Sequence, residues 1–404
     1  ENIGAVDAAQ QNILVGGETG NPIAVDDAFA APLRGLTVYG KSTQDGTSTP
    51  DAPVPIVSAG DGGSITVKVT GRNILDMRNS GKSVTNSGVT YTRNADYSFT
   101  RAGTATESTG NVWMAGGYLI KPKADLSNVF CVLLKGVKYS IKDCVLLATS
   151  PAGSALVARK NFVPTQDMYI TGVRNENFIV GQTYNDIVYP AVYVGGKALQ
   201  YEPYREQLLT LPTPNGLPGI PVTSGGNYTD PQGQQWVCDE VDLERGVMVQ
   251  RVKVLNLLDS SGFDNHGVWH IRTEQLGAGT TYIPIKWVTP NIKCLCNMFP
   301  VQMSKYQISE DTDLSIYYSA IGDVIGLKSA IFNPKGQLAT KDEAKVWFTA
   351  HPTYLYVPIE PIETPLTPAE IAVYKALTTY APDTVVQASD GAGVKLGYQR
   401  DVNI

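Results

Sequence analysis

Few residues in this chain have the types and spacing that catalysis or metal binding requires. His266 and His270, two of the three histidines, are spaced H-x3-H, which on a helix places two zinc ligands on one face. The surrounding GVWHIRT has strand character instead, and there the two rings would stand roughly 13 Å apart. No glutamate lies between them to act as a base. Cys294 and Cys296 form a C-x-C that lacks the C-x2-C spacing of a zinc ribbon and has no second pair. The five cysteines are odd in number and irregularly spaced, which points to small buried hydrophobes rather than a disulfide framework. Acidic runs at Asp239 to Glu244 and Glu310 to Asp313 have the side chains of a glycosidase pair or a calcium loop. Neither has EF-hand spacing, and carboxylates in β-turns are ordinarily solvated. Gly391-Ala392-Gly393 looks like a dinucleotide loop, but no helix follows it. A G-x-S-x-G elbow is lacking. The expectation is therefore a non-enzymatic chain with no catalytic residue, no metal ligand set and no cofactor.

Aromatic residues carry more information. Trp113, Tyr118, Tyr139, Tyr189, Tyr193, Tyr201 and Tyr204 fall in one β-rich stretch, and an exposed aromatic face flanked by polar groups is a surface on which the C–H face of a sugar can stack. The candidate set for such a site is Trp113, Tyr118 and Tyr193 with Arg72, Arg101 and Asn111. For each ring the competing role is packing between sheets, so exposure decides.

The elements that must position these residues are strands. Charged residues make up 17% of the chain, against about 25% in an average domain. Glycine, proline, threonine, asparagine and tyrosine are plentiful, which suits strands joined by tight turns. In Ser64 to Thr70, Ile65, Val67 and Val69 alternate with Thr66 and Lys68, the pattern of a half-buried strand. Nine further runs read as strands before Leu211: Val89 to Arg93, Tyr97 to Arg101, Val112 to Ile120, Val129 to Leu134, Tyr139 to Leu147, Met168 to Val173, Phe178 to Val180, Ile187 to Val194 and Leu199 to Tyr204. Their number and spacing predict a β-sandwich, most naturally a jelly roll. Pro212, Pro214, Pro218 and Pro221 then exclude a helix interior and predict a stiff extended connector. Two helices are announced by their caps: Thr340 with Glu343, and Thr367, Pro368 and Glu370 ahead of Ile371, Tyr374 and Leu377.

The fold class expected is thus mainly β, with multi-domain sandwich modules and two short helices near the C-terminus. The predicted domains are an N-terminal arm at 1–35 and a turn-rich β connector at 36–63, then the jelly roll at 64–211. A Pro/Gly connector and β-hairpin at 212–246 leads to a second β-rich domain with the two helices at 247–404. PIVSAG at Pro55 to Gly60 is echoed by PVTSGG at Pro221 to Gly226, so a connector precedes each module.

Net charge is −6 without a dense basic run, which argues against a nucleic-acid partner. The most apolar stretch, Val129 to Ala148, is broken by Lys135, Lys138, Lys142 and Asp143, so no bilayer span is expected. No basic-then-apolar leader opens the chain, so export by a cleaved signal is not expected either.

Several phrases together carry a resemblance. They are GLTVYGKSTQDGTSTPDAPVPIVSAGDGG, GRNILD, YVGGKALQYEPY, LPTPNGLPGIPVTSGGNYTDPQGQQWVCDEVDLERGVMVQRV and TPLTPAEIAVYKALTTYAPDTVVQASDGAGVKLGYQRD. In combination they resemble tail-associated structural and receptor-binding proteins of phages that infect gut Gram-positive bacteria. Residues 64–211 also look like the carbohydrate-binding-module jelly rolls such proteins carry, in which a strand ending in Tyr-Glu-Pro-Tyr closes the sandwich. The resemblance implies a virion component of the tail, baseplate or fibre, homo-oligomeric with a trimer favoured. Its partners would be other phage tail proteins and a host cell-surface glycan, with no membrane insertion. It transfers no site residue, and Asp259 to Lys335 departs from the group's phrases. A purely architectural tail protein and a polysaccharide-degrading tail enzyme are the alternatives. The second lacks the short-period repeat of β-helical depolymerases.

Overall fold

A computed structural model describes residues 23–26, 32–108, 113–117, 121, 129–195, 200–230, 232–259, 263–265, 268–272, 294–304, 314–319, 322–328, 340–380 and 383–397. The chain is mainly β, built from several sheets of sandwich type, with two α-helices among the described residues. It divides into two compact units assembled from discontinuous stretches. One comprises Glu1–Leu36, Thr66–Leu211 and Pro368–Ile404, the other Thr37–Ile65 and Pro212–Thr367.

In the first unit a six-stranded antiparallel sheet centres on the long strand Tyr139–Thr149, which pairs with Ala155–Phe162, Met168–Arg174 and Ala191–Val194. A four-stranded sheet is formed by Ser83–Asn86, Val89–Arg93, Phe99–Thr104 and Thr183–Val188. A further sheet joins Ile23–Asp26, Asp383–Ala388, Gly63–Gly71 and Glu206–Thr213. The predicted alternation holds in Gly63–Gly71: Ile65, Val67 and Val69 are fully buried, while Thr66 and Lys68 are half-buried. Tyr91 and Phe99 are fully buried, and Tyr91 stacks on Phe178 with centroids 6.3 Å apart and accepts a hydrogen bond from Asn175 Nδ2. Burying rings of this size supplies much of a β core's stability.

Two expected strands are absent. Phe178 to Val180 is irregular, and so is Gln200 to Arg205, the strand beginning only at Glu206. Tyr201-Glu202-Pro203-Tyr204 therefore leads into a strand instead of closing one. Pro203 has no donor for a ladder, and Glu202 is held from the side by Arg72 and Asn73. Ile187 to Val194 is split at Tyr189-Pro190 for the same lack of a donor. Ser83–Asn86 and Ala155–Phe162 are strands outside the predicted runs: the first has one apolar residue, and the second, though richer in them, buries only Ala158.

The second unit is built on a sheet containing Leu295–Cys296, Tyr354–Pro365, Val247–Asn256, Glu240–Asp242 and Leu36–Tyr39, with Leu36 itself counted in the first unit. Gly219–Val222, Gln235–Cys238 and Tyr228–Thr229 form a smaller sheet. The proline stretch is not a free strut: Leu217, Pro218, Gly219 and Ile220 are buried, and Leu217 bridges to Ala59. Proline tolerates a strand edge where no donor is needed, and here the edge packs.

Both helices occupy their predicted places. Helix α1 spans Lys341–Ala350, with the reciprocal box in which Glu343 N donates to Thr340 Oγ1 and Thr340 N donates to Glu343 Oε2. Helix α2 spans Pro368–Lys375, and Tyr374 and Leu377 are buried. His351 ends α1 stacked on Trp347, centroids 4.3 Å apart.

In Val247–Asn256 simple alternation would put Val249 and Val252 on opposite faces, yet both are fully buried. The pairing with Tyr354–Pro365 shifts register between Gln250 and Val252. The extra residues lie on the partner strand, where Ile359, Glu360 and Pro361 stand between the two pairs opposite Arg251 alone. Asp239 holds this bulge: its Oδ1 accepts from Arg251 N at 2.6 Å and from Val252 N at 2.7 Å. The carboxyl is buried, and burial outweighs those two donors and the Arg251 charge, pushing its pKa up to about 7.

The sign of the consequence follows from that shift. Below the unfolded value the carboxyl is protonated in both states. As pH rises through about 7 the folded chain bears the cost of a buried charge, so stability from this group falls with rising pH. Asp239→Asn keeps an acceptor for the bulge and removes the charge. We expect the stability of the variant relative to the parent to grow between pH 4 and 8, to a few kcal/mol at most, measured by denaturant unfolding at each pH. A constant difference would show that Asp239 does not titrate in this range.

Candidate functional site

Tight local geometry in the first unit brings a group of tyrosines to the surface. Between Val89–Arg93 and Phe99–Thr104 the chain turns through Asn94 to Ser98, with Tyr97 N donating to Asn94 O and Ser98 N to Asp96 Oδ1. This places Tyr97 at φ +65°. A bulky residue in the left-handed region costs roughly 1–2 kcal/mol. A second such residue, Asp143 at φ +51°, sits where Tyr139–Thr149 shifts register between Ser140 and Val145. The bulge leaves Asp143 exposed and Lys142 half-exposed, and Asp143 Oδ2 accepts from Tyr189 N.

These two strained turns flank one aromatic group. Tyr189 and Tyr201 stand with centroids 5.0 Å apart and planes inclined at 48°. The Tyr201 hydroxyl donates to Asp96 O at 2.6 Å, Lys142 Nζ lies 5.8 Å from the Tyr189 centroid, and Arg93 lies over Tyr97. Tyr97, Tyr189 and Tyr201 are all half-buried. Burial, then the neighbouring Asp96, pushes the Tyr201 phenol above its ordinary value. It stays a neutral hydrogen-bonding ring at physiological pH.

Of the residues expected to form a site, Arg72 and Tyr193 lie beneath this group. Tyr193 is fully buried, its hydroxyl facing Gln200 O at 3.4 Å, and burial raises its pKa to about 12. Arg72 donates to Glu202 Oε1 at 2.7 Å. Both support the surface from below. Arg101 belongs to the four-stranded sheet, paired twice with Asp186 and set 4.1 Å from the Tyr184 centroid. Trp113 is half-buried in Trp113–Gly116, its ring against Gly172. Tyr118 and Asn111 lie outside the described residues, as do His266 and Glu310 to Asp313. Tyr139 is fully buried, and Tyr204, almost as enclosed, donates to Glu206 Oε2.

Sequence reasoning missed Tyr97, Asp96, Asp143, Lys142 and Arg93. A signal existed for two of them, because Lys142-Asp143 interrupts an otherwise apolar run, as a bulge that turns polar residues outward would require. The acidic run after Cys238 is structural: beyond Asp239, Glu240 pairs with Arg251 and Asn227, and Asp242 Oδ1 accepts from Arg245 N. All five cysteines are free.

The arrangement can bind. Three half-buried tyrosines stand with two exposed aspartates and two cations, a set that stacks on C–H surfaces and exchanges hydrogen bonds with hydroxyls. Strain maintained beside such a set marks a constrained position. If the strain serves the site and not the fold, Tyr97→Gly should raise stability by about 1 kcal/mol, read from thermal or denaturant unfolding. A loss of more than ~1 kcal/mol would mean that packing of the ring outweighs the strain. No family model, curated protein or solved structure matches the chain.

Proposed function

We propose that this chain is a phage tail structural protein of the virion, in the baseplate or fibre, whose first unit adsorbs to a host-surface glycan through Tyr97, Tyr189 and Tyr201. The observation that carries the glycan part is the half-exposed tyrosine group held by two left-handed residues. The phage-tail part rests on the phrase resemblance spread along the chain. The protein assembles with other tail proteins and with copies of itself, most simply as a trimer. A purely architectural role draws support from the burial of Tyr139, Tyr193 and Tyr204, since these rings serve packing alone.

The two readings separate in one experiment. The parent chain is retained on host cells or on an array of cell-wall polysaccharide, without shortening the chains. Tyr189→Ala and Tyr201→Ala each weaken retention by about tenfold or more, with an unchanged circular dichroism spectrum. Retention that survives both substitutions, or that never occurs, leaves the architectural role. Release of reducing ends from the polysaccharide would make the protein an enzyme. The trimer is tested by sedimentation, which should give three times the chain mass.

A further inference from the structure

A second polar recess lies in the first unit, away from the residues just described. One wall is the strand Gly63–Gly71, whose buried face carries Ile65, Val67 and Val69 and whose other face carries Thr66, Lys68 and Thr70. Gln387 is the register partner of Lys68 in the adjoining strand Asp383–Ala388, so it continues the same polar face. The opposite wall is the segment Val129–Val132, tied down where Asp76 N donates to Phe130 O at 2.9 Å. Between them is a cleft of about 210 Å³.

Three features define what the cleft fits. Its charges balance: Lys68 and Asp76 line it, and beyond the lining Lys68 lies 3.8 Å from Glu206 while Arg78 bridges Asp76 and Glu206. Two cations against two carboxylates leave no net field to select an ion. Two of its polar groups are also two-way and open to a ligand, because within the described residues neither the Thr66 hydroxyl nor the Gln387 amide has a side-chain hydrogen-bond partner. Each can both donate and accept, as a ligand hydroxyl does. Finally, Ile74 and Phe130 supply an apolar wall. At about 30 Å³ per water the volume corresponds to roughly seven waters, the space of one sugar ring and not of a chain of them.

We propose that this cleft is a binding site for a single neutral sugar ring or a polyol of that size, contacted by Thr66, Lys68 and Gln387 and flanked by Phe130. It is distinct from the tyrosine group and does not depend on it. Cys131, the only cysteine that is not buried, lines the cleft and reports on its occupancy.

The full chain is titrated with methyl glycosides of neutral hexoses, with a uronic acid and with glycerol, by calorimetry or saturation-transfer NMR. We expect saturable binding of at least one neutral glycoside below ~50 mM, weaker binding of the uronic acid, and slower thiol labelling of Cys131 in the ligand's presence. Gln387→Leu and Thr66→Val each weaken binding by about tenfold; Lys68→Met supplies a third test should either variant lose its fold. Tyr201→Ala leaves this binding unchanged and lowers only retention on polysaccharide, so the two sites fail separately. The proposal is overturned if no neutral glycoside saturates, if the uronic acid binds more tightly, or if binding ignores the cleft variants and disappears with Tyr201→Ala.

Discussion

Side chains in a β-strand alternate between faces, so inserting one residue exchanges the buried face for the exposed one. Each unit contains a break in strand register that is held in place by a carboxylate. In the second unit the register shifts between Gln250 and Val252, with the extra residues on Tyr354–Pro365, and Asp239 Oδ1 fixes the facing strand there by accepting both Arg251 N and Val252 N. In the first unit the insertion near Asp143 turns Lys142 and Asp143 outward from a strand that is otherwise buried, and Asp143 Oδ2 ties the bulge to Tyr189. A carboxylate closes each irregularity. The Asp239 carboxylate is enclosed and serves packing, while the Asp143 carboxylate is exposed and stands beside open aromatic faces.

What could be read in the sequence divides along the same line. Regular alternation was legible, as in Ile65, Val67 and Val69, and so were the helix caps, because Thr340 with Glu343 and Thr367 with Pro368 act locally. The break opposite Asp239 was not legible, since nothing in Gln250-Arg251-Val252 announces that a distant Asp239 will collect two of its donors. The site was half legible for that reason. Tyrosines in the first unit drew attention through composition, but their exposure depends on where bulges and left-handed turns fall. Tyr193, an obvious candidate, sits at the end of a regular strand and is fully buried, whereas Tyr97 owes its position to the turn Asn94 to Ser98. The prolines misled similarly: they exclude helix, yet they do not distinguish a solvated strut from a packed sheet edge at Leu217 to Ile220.

Strain gives the tyrosine group a different standing from the rest of the surface. Asn, Asp and Gly tolerate positive φ with little cost, and Asn94, Ala95 and Asp96 lie within the same short turn. The left-handed position nonetheless falls to Tyr97, whose side chain is the least suited to it. Asp96 orders the same turn by accepting from Ser98 Oγ and from the Tyr201 hydroxyl. A cost of roughly 1–2 kcal/mol is small beside the stability of the sheets, so a binding surface can retain it.

On the proposed reading, the chemistry of both surfaces in the first unit is that of weak individual recognition. The tyrosine group is open on one side and the cleft is proposed for a ligand of one ring, so neither would exclude much water on binding. Sites of this kind gain little discrimination from charge, because Lys68 and Asp76 in the cleft cancel and the raised phenol of Tyr201 stays neutral. Repetition then becomes the effective route to adhesion: once one copy is bound, the others act at a high local concentration, and avidity exceeds the single-site affinity by orders of magnitude. That gain requires the sites to be held at fixed spacing, which packed sheets provide and a flexible linker would not. On the proposed reading, rigid β units repeated around a tail convert millimolar contacts with a polymeric glycan into stable attachment, and weak single sites leave each contact free to exchange along the polymer.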